Sequence, residues 1–96
     1  MYLKMLEQVS DFEWDKGNKN KNFSKHQVAD EECEEVFFDQ NKKILKDTQH
    51  SAKEERYIMI GQTKKQRPLF IIFTLRKDKL RIISARDLKR KEYELY

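Results

Sequence analysis

The chain has 96 residues, which is enough for one small domain with a single modest core. Charged residues make up 40% of it and apolar residues 38%, so a folded domain requires the apolar residues to be clustered. They are clustered, mostly between Tyr57 and Ile83. No apolar run approaches the roughly 20 residues of a membrane-spanning helix. There is no recognisable secretion signal and Cys33 is the only cysteine, so we expect a cytoplasmic protein without an internal disulfide.

The net charge of +4 is unevenly distributed along the chain. Residues 30–55 carry nine acidic and four basic side chains, whereas residues 56–96 carry twelve basic and four acidic ones. A basic C-terminal part is thus joined to an acidic middle. A basic face favours phosphate, nucleic acid or an acidic protein partner. A solvated charged surface is the alternative that composition leaves open.

The N-terminal third predicts a short strand and a weak helix. Residues 11–14 favour a strand with Phe12 and Trp14 on one face. Asp15 could then cap a helix that runs to about His26. That stretch contains Gly17 and three asparagines, so only tertiary contacts would hold it as a helix.

The acidic middle predicts a better helix over residues 28–39. Its first turn is crowded with carboxylates, which the helix dipole favours there. Cys33, Val36 and Phe37 fall on one apolar stripe. Either Ala29 or Asp30 would be the N-cap residue.

The second half predicts four strands and a terminal helix. Residues 42–48, "KKILKDT", favour a short strand, and three longer candidates follow as "ERYIMIGQT", "PLFIIFTLR" and "KLRIISAR". Their short connections favour an antiparallel meander. From Ser84 or Asp87 to Tyr96 the chain is predicted to be helical. The order β-α-α-β-β-β-β-α indicates an α+β domain with helices on one face of a twisted antiparallel sheet.

Arginines interrupt the last predicted strand, "LRIISAR". Strict alternation places Arg81, Ile83 and Ala85 on one face and the three residues Leu80, Ile82 and Ser84 on the other. The apolar residues then divide between the two faces. Alternation alone therefore does not indicate which face is buried.

Four segments together resemble the BrnT family, the toxin half of BrnT/BrnA toxin-antitoxin systems. They are "FEWD" followed by Asn22 and by "KH" at residues 25 and 26, "EEVFFD", "DTQHSAKEERYIMIG", and "TLRKDKLRIISARDLKRKEYELY". The similarity runs from about Phe12 to the end, so residues 1–10 would be an extension of one toxin domain over residues 1–96. The chain departs from the family pattern at Asn18, at Ala29, and at Gln27, where the family has a glycine suited to a left-handed helix stop.

The resemblance implies a RelE-like fold and a metal-independent endoribonuclease that arrests growth. It implies a BrnA-like ribbon-helix-helix antitoxin, with an antitoxin dimer joining two toxins in a 2:2 complex. Operator DNA would be bound only through that antitoxin. A catalytically degenerate basic module that docks an acidic partner or nucleic acid is the alternative function.

Such a ribonuclease needs a base, an acid, and cations for the transition-state charge. The acid–base candidates are His26, His50, Glu54 and Glu55, and ion pairing with arginine is the alternative role for the two glutamates. The catalytic prediction is His26, Glu55, Arg76 and Arg81. The RNA-binding prediction is Lys25, Arg56, Arg67 and Arg86, because arginine can hold two phosphate oxygens at once. We expect no metal site and no cofactor, since the histidines are far apart and the cysteine is alone.

Overall fold

The computed structural model describes residues 2–49 and 53–96. In chain order the elements are a 3₁₀ helix η1 (Tyr2–Gln8), β1 (Asp11–Phe12), α1 (Lys21–His26), α2 (Asp30–Phe37), β2 (Lys43–Lys46), β3 (Arg56–Gln62), β4 (Pro68–Arg76), β5 (Lys79–Asp87) and a second 3₁₀ helix η2 (Arg90–Leu95). The α+β class is confirmed. Over the described residues, no helix is both long enough and apolar enough to cross a membrane.

The described strands form one sheet in the order β1-β5-β4-β3-β2. The meander from β2 to β5 is antiparallel, as predicted. Strand β1 is the exception, because it pairs with β5 in parallel. A parallel partner needs a long crossover, and residues 13–78 provide it.

Two predicted helices begin later in the chain than expected. The helix expected from Asp15 begins only at Lys21, since residues 16–20 form turns and Asn20 has a left-handed backbone conformation. Gln27 ends this helix with φ 57° and ψ 35°, the left-handed conformation that a glycine would adopt more easily. The C-terminal helix is a 3₁₀ helix that begins at Arg90, because β5 continues to Asp87.

The side chains of β5 do not alternate strictly as predicted, because the strand contains a β-bulge. Ile72 of β4 pairs with Ser84, but the next residue, Phe73, pairs with Ile82, so Ile83 has no partner across the strands. The extra residue shifts the side-chain pattern by one. Leu80, Ile82 and Ala85 are therefore all buried and belong to one core cluster, whereas strict alternation had separated Ala85 from the other two.

The sheet packs its helix-facing side against η1, α1 and α2. Buried residues of this side, such as Met59, Ile71 and Phe73, form one cluster with Cys33 and Val36 of α2. Leu6 of η1 also joins the cluster, so part of the predicted extension packs into the core. Ala29 is the N-cap of α2, and its backbone N–H donates to the Glu32 carboxylate at 3.0 Å.

Beyond the short pairing of β1 with β5, two buried asparagine side chains form hydrogen bonds with the backbone of β5. The Asn18 side chain donates to the carbonyl oxygens of Ile82 (3.0 Å) and Glu13 (2.9 Å). The Asn22 side-chain oxygen accepts the N–H of Ala85 at 3.0 Å. These bonds satisfy backbone groups of β5 that would otherwise be buried without a partner, and they lie on both sides of the bulged Ile83.

Gly61 allows α2 to lie close to the sheet. A methyl group at this position would come within 2.9 Å of Val36 Cγ1 and 3.0 Å of the Asp39 carboxylate. We expect Gly61→Ala to lower the free energy of unfolding by about 1–3 kcal/mol, the usual cost of overpacking. Urea denaturation would measure it. Gly17→Ala is the matched control, because Gly17 is exposed and its methyl group would meet the polar ends of Arg81 and Asp15 outside the core. An equal loss in both variants would contradict the prediction.

Candidate active site

The second side of the sheet, which we call the open face, carries four arginines of the C-terminal half: Arg56, Arg76, Arg81 and Arg86. Cross-strand partners put Arg56, Thr74 and Arg81 in one row across β3, β4 and β5. The next row contains Ile58, Ile72 and Ser84, and the third contains Ile60, Phe70 and Arg86. The bulge is what places Arg81, Ser84 and Arg86 on this side together.

Arg81 is held by two carboxylates that follow β1. Its guanidinium donates to Asp15 at 2.8 and 3.1 Å and to Glu13 at 3.1 Å. The hydrogen bond from Arg81 holds the pKa of Asp15 below its usual value, and the same bond raises the pKa of Arg81. Only 14% of the Arg81 side chain is exposed. Arg81 is thus a fixed charge at the end of the open face.

Arg76 shares the same carboxylate but is far more accessible. Its Nη1 lies 3.3 Å from Glu13 Oε1, the atom that also accepts from Arg81, and its Nε lies 3.4 Å from Glu54 Oε2. Nearly half of the Arg76 side chain is exposed. We call Arg56, Arg76 and Arg81, with Glu13 and Glu54, the arginine end.

Glu55 lies away from this group. Its carboxylate accepts from Lys46 Nζ at 2.9 Å and from the Tyr57 hydroxyl at 2.8 Å. Tyr57 stacks on Phe73 of the core, on the helix-facing side of the sheet. Of the two adjacent glutamates, Glu54 is the one that contacts the candidate arginines.

Arg86 is tied to the C-terminal segment. It makes two bonds of 2.9 Å with the Glu92 carboxylate and lies over the Phe70 ring, 4.1 Å from the ring centroid. The hydrogen bonds from Arg86 lower the pKa of Glu92 to about 2. The chain then continues to Tyr96, whose hydroxyl donates to Asp39 at 2.7 Å. The segment therefore runs from Arg86 of β5 to Asp39, and Leu95 within it lies beside Lys43 and Leu45 of β2. Ile60, in the same row as Phe70 and Arg86, is fully buried.

The remaining candidates lie at the opposite end of β4. Arg67 donates to Asp87, to Glu32, and to the carbonyl oxygens of His26 and Gln27 at the end of α1. The bonds to Asp87 and Glu32 raise its pKa. Lys25 and His26 lie on exposed positions of α1, in the helix layer. The structure therefore does not bring His26, Lys25 and Arg67 together with Arg76 and Arg81.

The described part of the chain offers neither a reactive thiol nor a group of metal ligands. Burial raises the pKa of the Cys33 thiol to about 12, so this thiol is protonated at neutral pH. Among residues 2–49 and 53–96, no three His, Cys, Asp or Glu side chains are grouped to hold a metal ion. His50 lies outside the described residues.

Glu13, Asp15 and Asn18 are the residues whose importance the sequence did not reveal. The only signal was the alternation in "DFEWD", which puts Glu13 and Asp15 on the same side of the segment after β1. Their contact with Arg81 depends on the parallel pairing of β1 with β5. Asn18, one of the departures from the family pattern, is 2% exposed and bonds the backbone of β5.

This α+β fold, a five-stranded and mostly antiparallel sheet with short helices, is consistent with a RelE-like arrangement. The family model described as the ribonuclease toxin BrnT of type II toxin-antitoxin systems matches residues 14–92. The chain belongs to this family and is a ribonuclease toxin of a type II toxin-antitoxin system, which implies RNA cleavage and a cognate antitoxin. None of the curated proteins compared with the chain matches it.

The Arg86–Glu92 pair should make stability depend on acid pH. The pKa of Glu92 in the folded state is about 2, below its ordinary value of 4.5. The pair therefore stabilises the fold fully above about pH 5, and this contribution is lost as the pH falls towards 2. We expect Glu92→Gln to lower the stability by about 1–2 kcal/mol at pH 7 and by almost nothing near pH 2, since solvent screens the partly exposed pair.

Thermal unfolding of both proteins between pH 2 and 7 would measure this dependence. Glu94→Gln is the matched control, because Glu94 is an exposed residue of the same 3₁₀ helix. A gap between wild type and Glu92→Gln that stays constant over the whole range would contradict the assignment.

Proposed function

We propose that the arginine end is where this ribonuclease holds and cleaves an RNA phosphodiester. The observation that carries the proposal is the convergence of Arg76 and Arg81 on one Glu13 oxygen, at 3.3 and 3.1 Å. Two guanidiniums that share one carboxylate oxygen can also share a phosphate. Arg56 is in the same cross-strand row as Arg81 and adds a third positive charge.

The two arginines would have different roles. Arg81, fixed by Asp15, provides a preorganised donor aimed at the charge that develops on the phosphate oxygens. Arg76 is more exposed and its bonds to Glu13 and Glu54 are long, so it can exchange these carboxylates for phosphate. Charge-assisted bonds from arginine to phosphate are among the strongest that a protein makes.

Glu54 is the proposed base. It contacts Arg76, whereas Glu13 is engaged by both arginines. It would take the proton of the 2′-hydroxyl, whose oxygen then attacks phosphorus while the bond to the 5′-oxygen breaks. The leaving oxygen takes a proton from solvent. None of these steps needs a metal ion, and the reaction would take place in the cytoplasm, where RNA is present.

Under this proposal the other predicted residues act elsewhere. Arg67 links the end of α1 and the start of α2 to Asp87 of β5. Arg86 holds the C-terminal segment on the sheet through Glu92. Glu55 pairs with Lys46, and His26 and Lys25 lie in the helix layer. We assign them no part in bond breaking.

Replacing Arg76 by alanine should lower the rate of RNA cleavage about 10²–10³-fold, the usual loss when one transition-state donor is removed. The fold should persist, because the ion pairs of this half-exposed side chain contribute little stability. Single-turnover cleavage of a defined RNA in buffer with EDTA is the measurement, and Arg90→Ala, an exposed arginine of η2, is the matched control. Full activity of Arg76→Ala would show that the site lies elsewhere, and loss of wild-type cleavage in EDTA would refute the metal-free reaction.

We further infer that the cognate antitoxin is a BrnA-like ribbon-helix-helix protein whose dimer joins two toxins and alone contacts operator DNA. The family assignment supports a protein partner of this kind. Native mass spectrometry of the co-expressed pair should give two 11.8 kDa toxin chains with two antitoxin chains. A 1:1 complex would contradict this stoichiometry, and DNA binding by the toxin alone would contradict the division of roles.

A further inference from the structure

The open face contains a cleft of about 250 Å³ beside the arginine end. Its described lining residues are Asp47, Gln49, Ile58, Phe70, Ile72, Ser84 and Arg86. The cleft occupies the middle of the sheet, between the row that contains Arg81 and the segment that crosses from Arg86 to Tyr96. A side chain in its row is roughly 7 Å along the strand from the arginine row, which is two residues of extended chain.

The floor of the cleft is apolar although helices do not cover it. Ile58 and Ile72 are directly opposite each other on β3 and β4, and both are only partly buried. The solvent side of an antiparallel sheet is normally polar. Exposed apolar patches with a polar rim are typical of ligand-binding grooves and interaction sites.

The rim supplies hydrogen-bonding groups and one flat wall. The Ser84 hydroxyl and the Gln49 amide can each both donate and accept. The Arg86 guanidinium lies over the Phe70 ring and is fixed by two bonds to Glu92, so little freedom is lost when a ligand packs against it. Nucleobases stack on guanidinium planes and are read by hydrogen bonds along their edges.

We propose that this cleft binds one nucleobase of the RNA, next to the phosphate held at the arginine end, and so gives the toxin its base preference. This inference rests on the proposed function. The cleft is smaller than the roughly 300–1,000 Å³ of pockets for drug-sized ligands, and so suits a single flat ring system. Its apolar floor fits the faces of a base, and its polar rim fits the edge.

Nuclear magnetic resonance of protein with labelled isoleucine methyl groups tests binding directly. Millimolar nucleoside 3′-monophosphates should shift the signals of Ile58 and Ile72. The signals of Ile71 and Ile82, buried on the other side of the sheet, should stay in place and serve as internal controls. Ribose 5-phosphate, which has no base, should leave all four signals unchanged. Equal shifts with ribose 5-phosphate, or no shift with any nucleotide, would overturn the proposal.

A cleft-filling variant tests the role in cleavage. Ser84→Leu should reduce cutting at the preferred sites about tenfold, because stacking of one base contributes on the order of 1–3 kcal/mol, and it should spread the cuts over more sequences. Ser24→Leu, at an exposed position of α1, is the matched control. Thermal unfolding of both variants establishes that they are folded.

The two proposals fail in different ways. If Arg76→Ala loses cleavage but Ser84→Leu cuts the same sites at the wild-type rate, the base cleft is refuted and the phosphate site stands. If Ser84→Leu changes the sites while Arg76→Ala cleaves normally, the arginine end is wrong and a base is still recognised in the cleft.

Discussion

The bulge at Ile83 is the constraint on which both sides of the sheet depend. One extra residue in β5 lets Leu80, Ile82 and Ala85 all face the core, while Arg81, Ser84 and Arg86 all face the other way. In a regular strand, either an arginine would be buried among apolar side chains or the core would lose Ala85. The cost of the bulge is an interrupted ladder, and the side chains of Asn18 and Asn22 bond the backbone of β5 on either side of it. Core packing and the arrangement of the arginines are thus fixed by the same irregularity.

Ion pairing with carboxylates neutralises much of the positive charge of the C-terminal half. Composition predicts a positive surface, yet Arg67 and the arginines of β4 and β5 have carboxylate partners drawn from several parts of the chain, among them Glu13, Glu32 and Glu92. Arg67 and Arg86 make short bonds to their partners, whereas Arg76 makes contacts of 3.3 and 3.4 Å and is half exposed. An exposed ion pair with long contacts contributes little to the free energy of unfolding. A phosphate can replace it at small cost, and this distinguishes an arginine that can bind a ligand from one that holds the fold together.

Sequence reasoning reached the fold because the strong signals were local. The apolar run of β4, the short hairpins and the acidic first turn of α2 each follow from neighbouring residues, and the structure confirms them. The weak elements depend on contacts far away in sequence. α1 starts only after the turns of residues 16–20, and β1 exists because it pairs with β5. A one-residue bulge leaves no mark in an alternation pattern, so the faces of "RIISAR" could not be read from the sequence.

The candidate site was harder to predict than the fold for a related reason. Residue chemistry selected the arginines as a group, but it could not separate Arg76 from Arg67, because their difference lies in partners 20 to 63 residues away. The same limit applied to Glu54 and Glu55, whose side chains reach opposite sides of the sheet. Glu54 reaches Arg76 on the open face, and Glu55 reaches Lys46 and Tyr57. In a small, highly charged domain the residue types indicate which chemistry is available, and the topology of the sheet decides which of those charges remains accessible to a substrate.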